Sequence, residues 1–339
     1  QIGNGGFGAN GNHAGDIQVS VTNNLSVTGG SAGAEAYALI GHGGVSDGFS
    51  FAAPTVVSGG TRQGDILLDV FNGTSTMADS AGLGFLGHLG TGATLAGSRF
   101  ALITDTFNTA ASLAGVSSII QSMASGGSVE IGVLGGDLNI GGPGAFVNTT
   151  EHIDLLASGN VNFTAAVLNA GTGAINVASG WNTGSPGLTR TVDPSQMMIP
   201  ITALDIDYAT IIGSSANYGN GSATVTLDAN GTQLAVGSAG GATNVAGYGV
   251  NVTGTTAAAQ IGFNEELFNG ATGSNGVATT TDANISVLTQ EGGLSLTGVA
   301  AEARVGHGGA GTNAAQNGAI TVNTNNGAAD GNLTLMGGG

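Results

Sequence analysis

Cysteine and lysine are both absent from this chain of 339 residues. Without cysteine there is no disulfide framework and no thiolate metal site. Strong positive charge comes only from Arg62, Arg99, Arg190 and Arg304, set against 21 acids, for a formal net charge of −17. A chain so acidic cannot neutralise a run of phosphates, which excludes sequence-independent nucleic-acid binding. It offers no basic patch for an anionic lipid surface either. Charged residues make up 7% of the chain, where about 25% is usual. Long hydrophobic runs are missing too. No stretch approaches the roughly 18 apolar residues of a membrane-spanning helix, and the mean hydropathy of +0.25 reflects alanine and missing charge. The chain opens on Gln1, with neither an initiator methionine nor a signal peptide, and so reads as a piece of something longer.

What is abundant is glycine, 65 residues, without the every-third-residue period of collagen. Leu, Ile, Val and Phe make up about a quarter of the chain, above the share at which disorder sets in. They fall in short alternating runs that disordered chains lack. Internal repetition is the strongest signal. Gln1-Ile2-Gly3-Asn4-Gly5-Gly6 recurs as Leu39-Ile40-Gly41-His42-Gly43-Gly44 and, loosely, as Phe85-Leu86-Gly87-His88. It returns as Gln260-Ile261-Gly262-Phe263 and Arg304-Val305-Gly306-His307-Gly308-Gly309. The glycines are 38 residues apart from Gly3 to Gly41, 46 to Gly87, and 44 from Gly262 to Gly306. Periods of this size mean solenoids, propellers or arrays.

Each unit carries short strands with apolar residues at every second position, such as Ile17/Val19/Val21, Ile66/Leu68/Val70 and Ile285/Val287. A second set follows (Leu25/Val27, Leu294/Leu296, Leu333/Leu335), and a third ends at Ile40, Ile261 or Val305. Three short strands per unit describe a turn of a parallel β-helix, each turn stacked about 4.8 Å from the last. A propeller blade would need longer antiparallel strands and hairpin turns. The expected fold is all-β: a β-solenoid with lateral loop insertions, regular over 1–90 and 216–339 and less regular over 91–215. With about eight periods its body is roughly 40 Å long if each period is one turn, and nearly twice that if each hides two.

Within the middle section, the spacing of Phe107, Ala110, Leu113, Ala114, Ile120 and Met123 predicts a short helix or excursion over 107–124. Residues 181–215 gather Trp181 and three prolines and read as a flap packed outside the solenoid. Insertions after the Ile-Gly motif (5–15, 43–64, 263–283, 308–318) project from one side. They supply candidate binding residues: His13, Asp47, Phe49, Phe51, Arg62, Glu265, Glu266 and Phe268, to which Trp181 is added. Both ends of the chain fall inside a repeat, which predicts continuation into a neighbouring solenoid segment or another copy end to end.

The Gly-Asp-Ile-x-Val runs, Leu-x-Val/Leu-Thr-Gly, the repeated Ile-Gly-His-Gly-Gly, and Gly159-Asn160-Val161-Asn162-Phe163 resemble the large exoproteins of the filamentous-haemagglutinin type. The resemblance covers most of the chain, without that family's secretion domain. It implies a right-handed β-helix, exported across a Gram-negative outer membrane by a partner transporter and displayed as an adhesin or surface fibre. A surface glycan or protein would be its receptor.

Gly41-His42-Gly43 and Gly306-His307-Gly308 also resemble a short motif of polygalacturonases. Asn4 and Phe263 fill the histidine position in sister repeats, however, so a repeat consensus accounts for the histidines better. Asp205-Ile206-Asp207 would place two carboxylates on one strand face, an arrangement suited to glycoside hydrolysis or calcium. Solvated acids beside an insertion are the favoured reading, with no cofactor. The expected function is therefore structural or adhesive and without catalysis. The alternative is a β-helical polysaccharide hydrolase or lyase using Asp205 and Asp207.

Overall fold

A computed structural model describes residues 1–6, 11–30, 37–43, 61–77, 84–88, 98–109, 116–124, 127–181, 184, 187–192, 201–273, 281–309, 315–325 and 329–338. The chain is mostly β, in long parallel sheets without a closed barrel. Its largest sheet has 14 strands. Alternation explains why. In each short strand the even-spaced Ile, Val and Leu side chains are buried, as in Val161–Phe163 and Ala145–Val147, while the residue between them faces outward.

Three parallel ladders result. The first pairs Ile17 with Ile66, Ile66 with Phe100, Phe100 with Val129, Val129 with Ile153, and Ile153 with Ile175. It continues through Thr243, Ile285 and Ile320. The second aligns Leu138, Val161, Val225, Val250, Leu294 and Leu333. Strands such as Thr243–Gly254 and Ile285–Gly298 run through both ladders. The third aligns Ala145–Val147, Val167–Asn169, Leu234–Ser238, Ala259–Ile261 and Ala303–Val305. Nearer the start of the chain it also aligns Ile2, Ile40 and Leu86. Inward side chains of all three ladders meet in one apolar core, including Ile66, Leu102, Val129, Phe163, Val236 and Val252.

These registers settle the repeat arithmetic. Ile2 pairs with Ile40, Ile40 with Leu86, and Ile261 with Val305, so one repeat is one pass of the chain. The shortest passes need only 24 residues (Val129 to Ile153) and 22 (Ile153 to Ile175); the longer ones carry insertions. The motif glycines Gly3, Gly41 and Gly262 are fixed twice over. Gly41 has φ +154°, and a Cβ there would overlap the carbonyl oxygen of Gly87 on the next pass.

Helix α1 spans Val116–Met123, within the segment whose spacing predicts a helix, but Phe107 lies in the preceding strand Ser98–Thr109. It interrupts the third ladder and meets the neighbouring strand edges. Met123 Sδ accepts from the His88 N–H at 3.2 Å, and Gln121 Oε1 from the Phe146 N–H at 2.5 Å. One pass thus substitutes a helix for a strand, and helix side chains accept the N–H groups of His88 and Phe146 on either side. Two further helices lie outside the ladders: α2, Tyr208–Ile212, and α3, Glu265–Thr272.

Candidate functional site

The insertion after Ile175–Ala178 forms an antiparallel pair, Leu188–Val192 with Ile201–Ile206, followed by α2. This flap covers the outward face of the first ladder. Ile201, Leu204, Ile206, Tyr208 and Ile211 pack on Ala101, Ile103, Leu156, Ala178 and Ala246 in a second apolar core. Trp181 lies 1% exposed within it. Its candidacy as a surface binding residue is therefore corrected: the indole fills the flap's underside, where apolar burial outweighs exposure.

Beneath the flap runs a charged seam. Glu130, 1% exposed, receives the Arg99 guanidinium bidentately (Nε to Oε1 2.6 Å, Nη2 to Oε2 2.7 Å) and the Ile206 N–H at 2.8 Å. Arg99 Nη2 also reaches Asp205 at 2.9 Å. His152 Nε2 lies 3.5 Å from Glu130 and 4.0 Å from Asp154. Asp154 is buried and accepts from Asn176 Nδ2 at 2.7 Å, and Asn176 accepts from Asn244 in turn. Burial alone would raise the Glu130 carboxyl, but hydrogen bonds from His152 and Arg99 outweigh it and hold the group below the usual range. The bond to Glu130 raises His152 against the opposing effect of its burial. At Asp154 burial outweighs the opposing pull of His152 and the Asn176 hydrogen bond, and pushes the carboxyl up to about 7. A second clamp lies nearby. Arg190, from the flap, stacks 3.8 Å over the Phe71 ring and grips fully buried Asp69 through Nε at 2.9 Å.

Asp205 and Asp207 have separate tasks. Asp205 pairs with Arg99, whereas Asp207 caps α2 by accepting from the Thr210 N–H and hydroxyl, which lower its pKa. Among the described residues no group of three His, Asp or Glu side chains is placed to hold a metal ion.

The repeat histidines form a second constellation. Nδ1 of His42 accepts the Asn4 N–H at 2.9 Å, His88 that of His42 at 3.0 Å, and His307 that of Phe263 at 3.1 Å. Each Nε2 contacts the carbonyl that opens its own pass: Gly15 at 2.6 Å, Gly64 at 3.1 Å and Ala283 at 2.9 Å. Since an N–H points at Nδ1, the proton must sit on Nε2, and each ring is a neutral staple between passes. The His42 and His88 rings stack, centroids 4.9 Å apart and 12° from parallel. Burial drives His88 down to about 4 and lowers His307 as well.

The remaining candidates scatter. Arg62 is 1% exposed and donates to the Gly11 and Thr61 carbonyls. It is thus an interior loop anchor, correcting its place among surface residues. Glu265, at the start of α3, is likewise buried, because α3 folds back onto the third ladder. Phe268 packs beside Phe263 and Phe146, while Glu266 is exposed. His13 is half-buried and paired with Arg62 in register. Asp47, Phe49 and Phe51 lie outside the described residues. Sequence reasoning missed Arg99, Glu130, His152, Asp154, Asp69 and Arg190. A usable signal existed: Glu130 and Asp154 are charges flanked by inward apolar residues in a chain nearly free of charge.

No protein-family model, no curated protein and no solved structure matches this chain.

Proposed function

We propose that the three ladders are the faces of a right-handed parallel β-helix, and that the chain is a non-catalytic shaft segment of a long cell-surface β-solenoid. The observation that carries this is register: Ile2 lies directly against Ile40, Ile40 against Leu86 and Ile261 against Val305, and His42, His88 and His307 are spent on joining passes. A residue wholly engaged in two backbone bonds has no capacity left for substrate. The carboxylates of the hydrolase alternative are likewise occupied, one by Arg99 and one as a helix cap. Resemblance to filamentous-haemagglutinin-type exoproteins supports display on a Gram-negative surface and an adhesive role toward a glycan or protein receptor. Absence of cysteine suits passage of an unfolded chain through an outer-membrane transporter.

The test is a broad glycan array read both for binding and for bond cleavage, together with electron microscopy of particle shape. Rod-shaped particles that bind without cleaving support the proposal. Turnover of any glycan, abolished by Asp205→Asn, would establish the hydrolase instead.

A further inference from the structure

Insertions cover two of the three outward faces. The flap lies on the first ladder, α3 folds back onto the third, and α1 packs into the main core. The outward face of the second ladder carries none of these helices. Its central column runs in register through Asn139, Asn162, Thr226, Asn251 and Ser295. Beside it, two residues further along each strand, stand Asp228, Thr253 and Thr297. Nearer the start of the chain, Ser26 pairs with Thr76 in the same pattern. All of these side chains are exposed or half-buried.

Resting on the β-helix reading, in which each pass lies flat on the last, we propose that this face binds the surface of ice. Register sets a rectangular grid of side chains, about 4.8 Å from pass to pass and about 6.7 Å between outward positions on one strand. Water molecules on the prism faces of hexagonal ice repeat on a rectangular grid of closely similar dimensions. The side chains are of the kind that can join it: each hydroxyl and amide both gives and accepts hydrogen bonds, as a water molecule does. The grid is also stiff. Inward neighbours Val161, Val225, Val250 and Leu294 are buried in the core and fix each strand from below. The β-branched side chains of Thr226, Thr253 and Thr297 have few rotamers to choose from. Asn162 donates to Asn139 at 2.9 Å, and the Ser295 and Thr297 hydroxyls meet at 3.4 Å, which orients these groups before any ligand arrives.

The chemistry of the face argues against other occupants. The chain carries a net charge of −17, yet the central column is uncharged. The acids beside it, Asp137 and Asp228, already accept from the Asn160 N–H and the Thr255 hydroxyl, each at 2.7 Å. A neutral face suits a neutral partner. These positions include no aromatic ring to stack on a sugar, and a flat grid has no concavity to enclose a small ligand. What fits is a partner that is itself flat, uncharged and periodic in two directions. Each contact to it is weak, and a rigid grid makes many at once.

The experiment uses residues 1–339, with circular dichroism to verify folding of each variant. The wild-type chain should be retained in ice grown slowly from dilute solution, should shape single crystals, and should depress their growth temperature below the melting point. Thr226→Tyr raises a ring above the grid, and Asn251→Asp adds a charge with almost no change in volume. Each should fold and be rejected by growing ice. Glu266→Tyr, at an exposed position on α3, should be retained as the wild type is. Rejection of the folded wild-type chain overturns the proposal, as does retention that survives both Thr226→Tyr and Asn251→Asp. Capture of a neutral glycan on an array, lost in those two variants and unaccompanied by ice binding, overturns it in favour of a glycan on the same face. Electron microscopy separates this proposal from the β-helix reading. Rods rejected by ice overturn ice binding alone, whereas a compact particle overturns both.

Discussion

His88→Ala isolates what a histidine staple contributes and when it contributes it. Removing the ring abandons the His42 N–H, 3.0 Å from Nδ1, and the Gly64 carbonyl, 3.1 Å from Nε2. At a position 3% exposed, each abandoned group costs about 1–3 kcal/mol, and the lost stack on His42 adds to this. The variant should therefore be about 4 kcal/mol less stable locally at pH 7. That difference is not constant. The folded protein holds His88 neutral down to about pH 4, because burial opposes its charge, whereas an unfolded chain takes up the proton below about 6.5. Stabilisation by His88 is complete above pH 6.5 and drains as pH falls toward 4, where about 3 kcal/mol of it is gone. Hydrogen exchange of the segment 37–43, measured in both proteins from pH 7 to pH 4 and corrected for intrinsic rates, reads this locally. A gap between wild type and variant that stays constant, or widens in acid, would refute a neutral ring held by two backbone partners.

Asp154 runs in the opposite direction: its folded pKa is raised, so its stabilising protonation is lost as pH climbs from about 4 to about 7. Asp154→Asn keeps an acceptor for Asn176 and should raise the melting temperature at pH 8 while leaving it unchanged at pH 4; a rise at pH 4 contradicts this. Arg190→Leu leaves fully buried Asp69 without its cation, a loss of about 3–5 kcal/mol, and should loosen the flap. Red-shifted emission from Trp181, the single tryptophan, and faster proteolysis within 188–206 would register it. Gly41→Ala, which forces a Cβ against the Gly87 carbonyl at positive φ, should cost more than 2 kcal/mol by urea denaturation.

How much was legible in the sequence depended on whether the structure reuses a position. Stacking makes each residue answer to its counterpart on the next pass, so Ile2, Ile40, Ile261 and Val305 had to look alike, and the repeats revealed the ladders. Burial in the insertions obeys no such period. Trp181 and Arg62 looked like loop residues because nothing local shows that the flap folds back on Ala101 and Ala178, or that the Gly11 carbonyl meets a guanidinium. The charged seam was hidden for a related reason. Arg99, Glu130, His152 and Asp205 come from distant stretches of chain that only the register of the first ladder and the flap bring together.

The scarcity of charge follows from the same geometry. In a parallel stack, outward residues at one register position lie about 4.8 Å from their neighbours on both sides. Like charges at that distance repel by about 1 kcal/mol in water, and by about 3 kcal/mol at the effective dielectric of a protein surface. A charged column therefore accumulates repulsion at each pass, whereas a column of amides and hydroxyls gains a bond at some of them. The second ladder's outward column reads Asn139, Asn162, Thr226, Asn251, Ser295 and Thr334, and Asn162 donates to Asn139 at 2.9 Å. One stacked pair of acids illustrates the cost. Where Glu130 pairs in register with Asp154, two carboxylates are stacked. Arg99 and His152 are drawn in beside the first, while burial keeps the second a proton acceptor near pH 7. Beyond Asp154 the column returns to neutrality with Asn176 and Asn244, which carry the polar contact onward without adding charge.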